Sequence, residues 1–135
     1  MGLIKKIQEM KHEMLRWRQK LHAEPELDFE EKATARFITR QLQSWGIEVH
    51  GLSKTGVVGV LHGKDGPAVD TGGKTIMLHA DMNALPIPDE TGAHHASRTP
   101  GVHHGAGHDG HIAMLLGAAR HLAQTKNFNG TVYFV

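Results

Sequence analysis

The chain has 135 residues, with 15 Lys and Arg against 14 Asp and Glu, a net charge of +1 and no cysteine. That length is one domain's worth of chain with room for a real core. The balanced charge gives no electrostatic case for nucleic acid or an acidic membrane, and the missing thiols exclude disulfides and thiolate metal ligands. The opening "MGLIKKIQEMKHEM" is broken by charge throughout, so it offers no signal-peptide apolar core, and Lys6 stands where a myristoylation signal needs Ser or Thr. No segment approaches the apolar length of a membrane span, and a soluble, cytoplasmic protein is expected.

Leu3, Ile7, Met10, Met14, Trp17 and Leu21 recur at steps of four and three, which predicts one helix with a single apolar stripe ending near His22. Pro25 breaks it. A second helix is expected with Asp28 as its N-cap and Glu31 completing a capping box. Phe37, Ile38, Leu42 and Trp45 form its buried face and Gly46 its stop. The period then changes. "IEVHGL" and "VVGVLHG" read as strands joined by "SKTG", and "KDGPAVDTGG" as a loop. "KTIMLHAD" is nearly continuous in apolar residues, the pattern of a central strand buried on both faces, and its end delivers His79 and Asp81. Residues 83–107 form a long irregular segment, a length that marks a functional or disordered loop. Ile112, Leu115, Leu116, Ala119 and Leu122 predict a third helix from about Asp109 to Gln124. "GTVYFV" is a last strand, expected to lack neighbours.

Histidine is the anomaly. Of 12 histidines, seven (His79, His94, His95, His103, His104, His108 and His111) fall between residues 79 and 111. Scattered ones such as His12, His50, His62 and His121 read as solvated or half-buried. "GVHHGAGHDGH", residues 101–111, contains the G-x-G-x-x-G spacing. Dinucleotide binding also needs a preceding strand and an acid some 20 residues on, and no Asp or Glu follows Asp109. A metal site explains the segment better. His79-Ala80-Asp81 puts an imidazole and a carboxylate on one side of a strand end. His108 and His111 share a face of a first helical turn. Converging imidazoles and carboxylates are what zinc or manganese requires. The competing reading makes Asp109 a helix cap and the histidines exposed loop residues. Taken singly, His94, His95 and His103 read as bland, and Arg98 as a solvated arginine rather than a clamp for a substrate carboxylate.

Five stretches, "WRQKLHAEPELDFEEKATARFI", "TGVVGVLHG", "IMLHADMNALPIPDETG", "ASRTPGV" and "GHDGHIAMLLGAARHLAQTKNFNGTVYF", occur in order over nearly the whole chain. Together they resemble the N-terminal part of the amidohydrolase branch of the aminoacylase and carboxypeptidase metallohydrolases, which includes hippurate hydrolase, N-acyl-amino-acid amidohydrolases and auxin-conjugate hydrolases. The resemblance implies an α/β fold, a mixed sheet flanked by helices forming part of a metallopeptidase-type catalytic domain. It also implies a two-metal centre of zinc or manganese, hydrolysis of an amide beside a free carboxylate, and a glutamate as general base. On this resemblance His108 and His79 are the metal ligands and Asp81 the catalytic residue that orients His79. His104, Asp109 and His111 stand behind them.

Three departures accompany it. Ala106 stands where the branch has a Cys ligand. His79 stands where the branch has Arg but the wider family a ligand His. Asn83 stands where the branch has Asp. The family continues past the last strand into a Glu-Glu pair and two further His ligands. Residues 1–135 are therefore expected to be a catalytic domain truncated before the general-base segment and the lid domain, and inactive alone. The expected substrate is a small N-acyl amino acid or peptide-like molecule, with homo-oligomerisation left open. A non-catalytic remnant that binds a metal or a partner protein is the alternative.

Overall fold

The computed structural model describes residues 4–135. Leu3, the first member of the predicted stripe, lies outside them. The rest of that stripe is split between α1 (Lys5–Glu9) and α2 (Lys11–Ala23). Met10, at φ −87° and ψ 0°, donates its N–H to Ile7 O at 3.1 Å, a tighter turn that puts Met10 itself in the core.

The second predicted helix is α3 (Lys32–Ser44), and its start corrects the expected cap. Asp28 is exposed in a turn with Phe29 at φ 62°, and no capping box forms. Glu26 does the work from outside the helix. Its carboxylate accepts from Ala33 N at 3.1 Å, Thr34 N at 2.6 Å and Thr34 Oγ1 at 2.7 Å, satisfying free N–H groups of the first turn. Glu31, freed from capping, is buried and accepts from Thr55 Oγ1 at 2.6 Å. The helix ends as the sequence predicts. Gly46 takes φ 77°, donating to Gln43 O, and Ile47 N returns to Leu42 O.

The hairpin of β1 (Glu48–Leu52) and β2 (Gly56–His62) is antiparallel and turns through Ser53 at φ 57°. The predicted loop after it contains a single helical turn, α4 (Ala68–Thr71). It leads into β3 (Lys74–Leu78), the long helix α5 (His108–Thr125) and β4 (Gly130–Phe134).

Four strands form one mixed sheet in the order β1-β2-β4-β3, with β2 antiparallel and β3 parallel to β4. This order overturns two expectations. β4 is an interior strand, paired on both sides and buried at four of its five residues. β3 is an edge strand on the described residues, with Ile76 54% and Met77 63% exposed. An apolar run suits double burial, but composition reports only what a strand is suited to pack against, not which strands flank it.

Alternate residues of β2 and β4, namely Val57, Leu61, Val132 and Phe134, meet Ile38 and Leu42 of α3 and Ile112 and Leu116 of α5 in one core. Helix α2 lies against α5 and adds Trp17 and Leu21, with the Trp17 ring 5.6 Å from that of Trp45 and tilted 54° to it. Arg120 of α5 also pairs with Glu13 of α2. On the opposite face Thr131 Oγ1 accepts from Ala68 N of α4 and meets His62 Nδ1.

Candidate metal centre

Parallel pairing with β4 carries the end of β3 to the same edge of the sheet as the start of α5. Ala80 N bonds to Val135 O at 2.9 Å, and Val135 N to Leu78 O at 2.9 Å, so His79 and Asp81 leave the sheet from a fixed register. Gly107, the N-cap of α5, sits at φ 87°, a left-handed conformation that costs glycine little and other residues more. His108 is the first residue of the helix.

These residues come together as follows. His79 Nε2 lies 3.1 Å from Asp81 Oδ1, and His108 Nε2 lies 3.9 Å from Asp81 Oδ2. The His108 ring is pinned from behind, because Nδ1 donates to the Asn83 carbonyl at 2.7 Å. A carbonyl can only accept, so Nδ1 is the donor there and Nε2 is the ring nitrogen that faces Asp81. A carbonyl behind the ring is the usual support of a metal-binding histidine. Two imidazoles and a carboxylate are the donor types a divalent ion takes, but their candidate atoms do not all converge within 4.8 Å of one another as those of the buried group described below do. His79 and Asp81 are open to solvent, 54% and 60% exposed at their side chains, and His108 is 18% exposed. A mostly apolar cavity of about 260 Å³ opens beside His79, Asp81 and Asn83. His111 is exposed, its ring 5.9 Å from that of His108. Arg98 is 77% exposed and 4.0 Å from Glu24, a surface arginine.

His104 and Asp109 belong to a second, buried cluster that sequence reasoning missed. Asp109 is not a helix cap. It is the second residue of α5, 1% exposed, and its Oδ2 accepts from His22 Nδ1 at 2.8 Å and Arg18 Nε at 3.0 Å. Burial alone would raise its carboxyl, but the His22 bond and the Arg18 charge hold it below the ordinary value. His22 Nε2 in turn lies 3.1 Å from Asp89 Oδ2, and His103 Nδ1 lies 3.3 Å from the same oxygen. Hydrogen bonds from Thr91 and from Ser97 N hold the Asp89 carboxyl well below the usual range. Among the described residues, His22, Asp89 and His103 are the histidine–carboxylate group whose candidate ligand atoms all lie within 4.8 Å of one another. Around them His104 is 4% exposed, and burial pushes its imidazole down to about 4. Burial also lowers His95, whose ring stands 5.4 Å from that of His22.

The long segment 83–107 is therefore irregular but ordered. Its backbone is bonded to the α2 end and the turn after it, through Arg98 N to Ala23 O and Ala84 N to Glu26 O. It is closed on itself by the Leu85–His103 bridge. One clue to the buried cluster is in the sequence. Arg18 and His22 are four apart on one helix face, and both reach Asp109. That Asp89 and His103 meet them depends on the path of the loop.

Residues 77–135 match Peptidase family M20/M25/M40. Over 96% of its length the chain is 41% identical to an N-acyl-L-amino acid amidohydrolase of Geobacillus stearothermophilus, of which it covers 34%. It is 42% identical over 98% of its length to a hippurate hydrolase of Campylobacter jejuni, of which it covers 33%. The solved structure of the Bacillus subtilis YXEP protein, described as a dinuclear metal binding peptidase from M20 family, superposes with a TM-score of 0.85. It shares 35% identity, over 94% of this chain and 35% of that one. The chain spans about a third of the length of the relatives it matches. Its motifs, its mixed sheet and these likenesses agree: over nearly its whole length the chain is similar to a part of the M20 amidohydrolases, and residues 77–135 carry the M20/M25/M40 peptidase pattern.

Proposed function

We propose that residues 1–135 are the metal-binding N-terminal portion of a cytoplasmic amidohydrolase that cleaves N-acyl amino acids or similar small amides. The observation that carries this reading is His108, pinned through Nδ1 to the Asn83 carbonyl with Nε2 turned toward the carboxylate that also bonds His79. The names of the relatives, an N-acyl-L-amino acid amidohydrolase and a hippurate hydrolase, support the substrate class. A divalent ion, zinc or manganese, would be held by His108 and His79 and would supply Lewis acidity and activation of a water. Asp81 orients His79 through the Nε2 contact, Asn83 O fixes the tautomer of His108, and His111 flanks the His108 ring. His104 and Asp109 stand behind the site in the buried cluster.

One observation favours the second reading, a non-catalytic member that binds a metal or a partner protein: Ala106 has no donor atom two residues before His108. A hybrid separates the two readings. Residues 1–135 replace the aligned third of the Geobacillus amidohydrolase, and release of free amino acid from N-acetyl amino acids is measured. Turnover is expected, lost with His108→Ala and increased by Ala106→Cys, whereas the isolated chain is expected to show none. A folded hybrid without turnover, with or without Ala106→Cys, would sink the enzymatic reading.

A further inference from the structure

Among the described residues, five of the seven buried side-chain polar atoms without a hydrogen-bond partner lie in the buried cluster. His103 Nδ1, His95 Nδ1, both ring nitrogens of His104 and Asp109 Oδ1 are all buried without a hydrogen-bond partner. An unpartnered buried polar atom is costly, and of these His103 Nδ1, beside Asp89 Oδ2, is the one a bound cation would engage directly. Three features give the cluster the form of a metal site. Asp89 Oδ2 lies 3.1 Å from His22 Nε2 and 3.3 Å from His103 Nδ1. Zinc-type bonds of about 2.0–2.1 Å at tetrahedral angles put ligand atoms about 3.3 Å apart, so these separations are edges of such a polyhedron. The His22 ring is oriented from behind by Asp109 Oδ2 at 2.8 Å on Nδ1, which turns Nε2 inward as a carboxylate does for a metal-bound imidazole. His103 is held by its backbone, through paired bonds with Leu85 of 2.9 and 3.0 Å.

We propose that His22, Asp89 and His103 form a binding site for a divalent metal ion of the zinc class. It shares no residue with the His79, Asp81 and His108 cluster. Its ligands come from α2 and from both ends of the 83–107 segment, so the ion ties that segment to the helix. The 15% exposure of the His103 side chain gives the ion a way in.

Cobalt(II) is the probe, since its visible absorption reports a low-coordinate nitrogen and oxygen environment. The full chain carrying His108→Ala, which removes the other cluster, is titrated with Co²⁺ and then displaced with Zn²⁺. About one ion per chain is expected to give the visible bands. Adding His103→Gln or Asp89→Asn is expected to weaken binding by more than about tenfold, with circular dichroism unchanged. Should those variants lose their fold, ring ¹⁵N spectra of the wild-type chain decide the matter. On adding Zn²⁺, the His22 and His103 signals are expected to move with one stoichiometric ion. Bands that persist unchanged in folded His103→Gln and Asp89→Asn, or His22 and His103 signals indifferent to Zn²⁺, would overturn the proposal. Because His108 is already removed, failure here says nothing about hydrolysis by the hybrid, and failure of the hybrid leaves this site standing.

Discussion

His104 shows how far one residue's environment departs from its composition. In sequence it is one of four histidines in an eleven-residue stretch with four glycines. Folded, it is 4% exposed with neither ring nitrogen hydrogen-bonded, against Asp109, His22, His108 and His103. Burial is the largest influence and pushes its imidazole from 6.5 down to about 4, although the Asp109 charge works the other way. The folded value is the lower one. Between pH 6.5 and 4 the unfolded chain therefore takes up a proton that the folded chain refuses. Stability is unaffected above that window and falls as pH drops through it, by on the order of 3 kcal/mol at the acid end. Asp109, held below its ordinary carboxyl value, adds a further loss only at still lower pH. Thermal melts from pH 7 to pH 4 are expected to show a falling midpoint, and His104→Leu to flatten it. A variant that keeps the wild-type slope would place the titrating group elsewhere.

At the scale of single elements, the start of α3 is decided by reach rather than by local spacing. Asp28 has the residue type and position of a cap, yet the chain turns at Phe29 and leaves Asp28 in solvent. Glu26, seven and eight residues before the N–H groups it accepts from, supplies both carboxylate oxygens to Ala33 and Thr34. Glu26→Ala is expected to lower stability by about 1–2 kcal/mol, in the range of lost helix caps. Asp28→Ala should stay within about 0.5 kcal/mol of wild type. Urea midpoints of the two variants check this, and the reverse ranking would restore Asp28 as the cap. Helix α5 is the opposite case. Its apolar spacing was readable, and each end moved by one residue, from Asp109–Gln124 to His108–Thr125.

For the whole molecule, strand order is the decisive quantity. β2 and β3 flank β4, so the strand expected to lack neighbours is paired on both sides, and the apolar run of β3 lies at an edge of the described sheet. Ile76 and Met77 are 54% and 63% exposed there, which makes β3 the natural place for edge-to-edge association. Ile76→Thr with Met77→Thr is expected to change stability by less than about 0.5 kcal/mol per site and to reduce light scattering by concentrated chain. A loss of several kcal/mol would show that these side chains are buried in solution.

Apolar period and turn chemistry are local, and what rests on them was readable in advance. That includes the amphipathic α3 and α5, the β1–β2 hairpin, the Gly46 stop, and a strand end delivering His79 and Asp81 near His108. The shared motifs likewise pointed to the M20 family before any contact was seen. Long-range pairing is not a local property. The meeting of His22 with Asp89, His103 and Asp109, across 67 to 87 positions in the pairs made by His22, required the 83–107 segment to fold back on α2. The same holds for the burial of His104 and the partial burial of His95 and His103, because residue type alone gives no hint of solvent exclusion. Strand order, too, is set by which edges pair once α5 crosses over. Chemistry that follows from neighbours in sequence was visible in the string of letters. Chemistry that follows from desolvation and convergence existed only once the chain had packed.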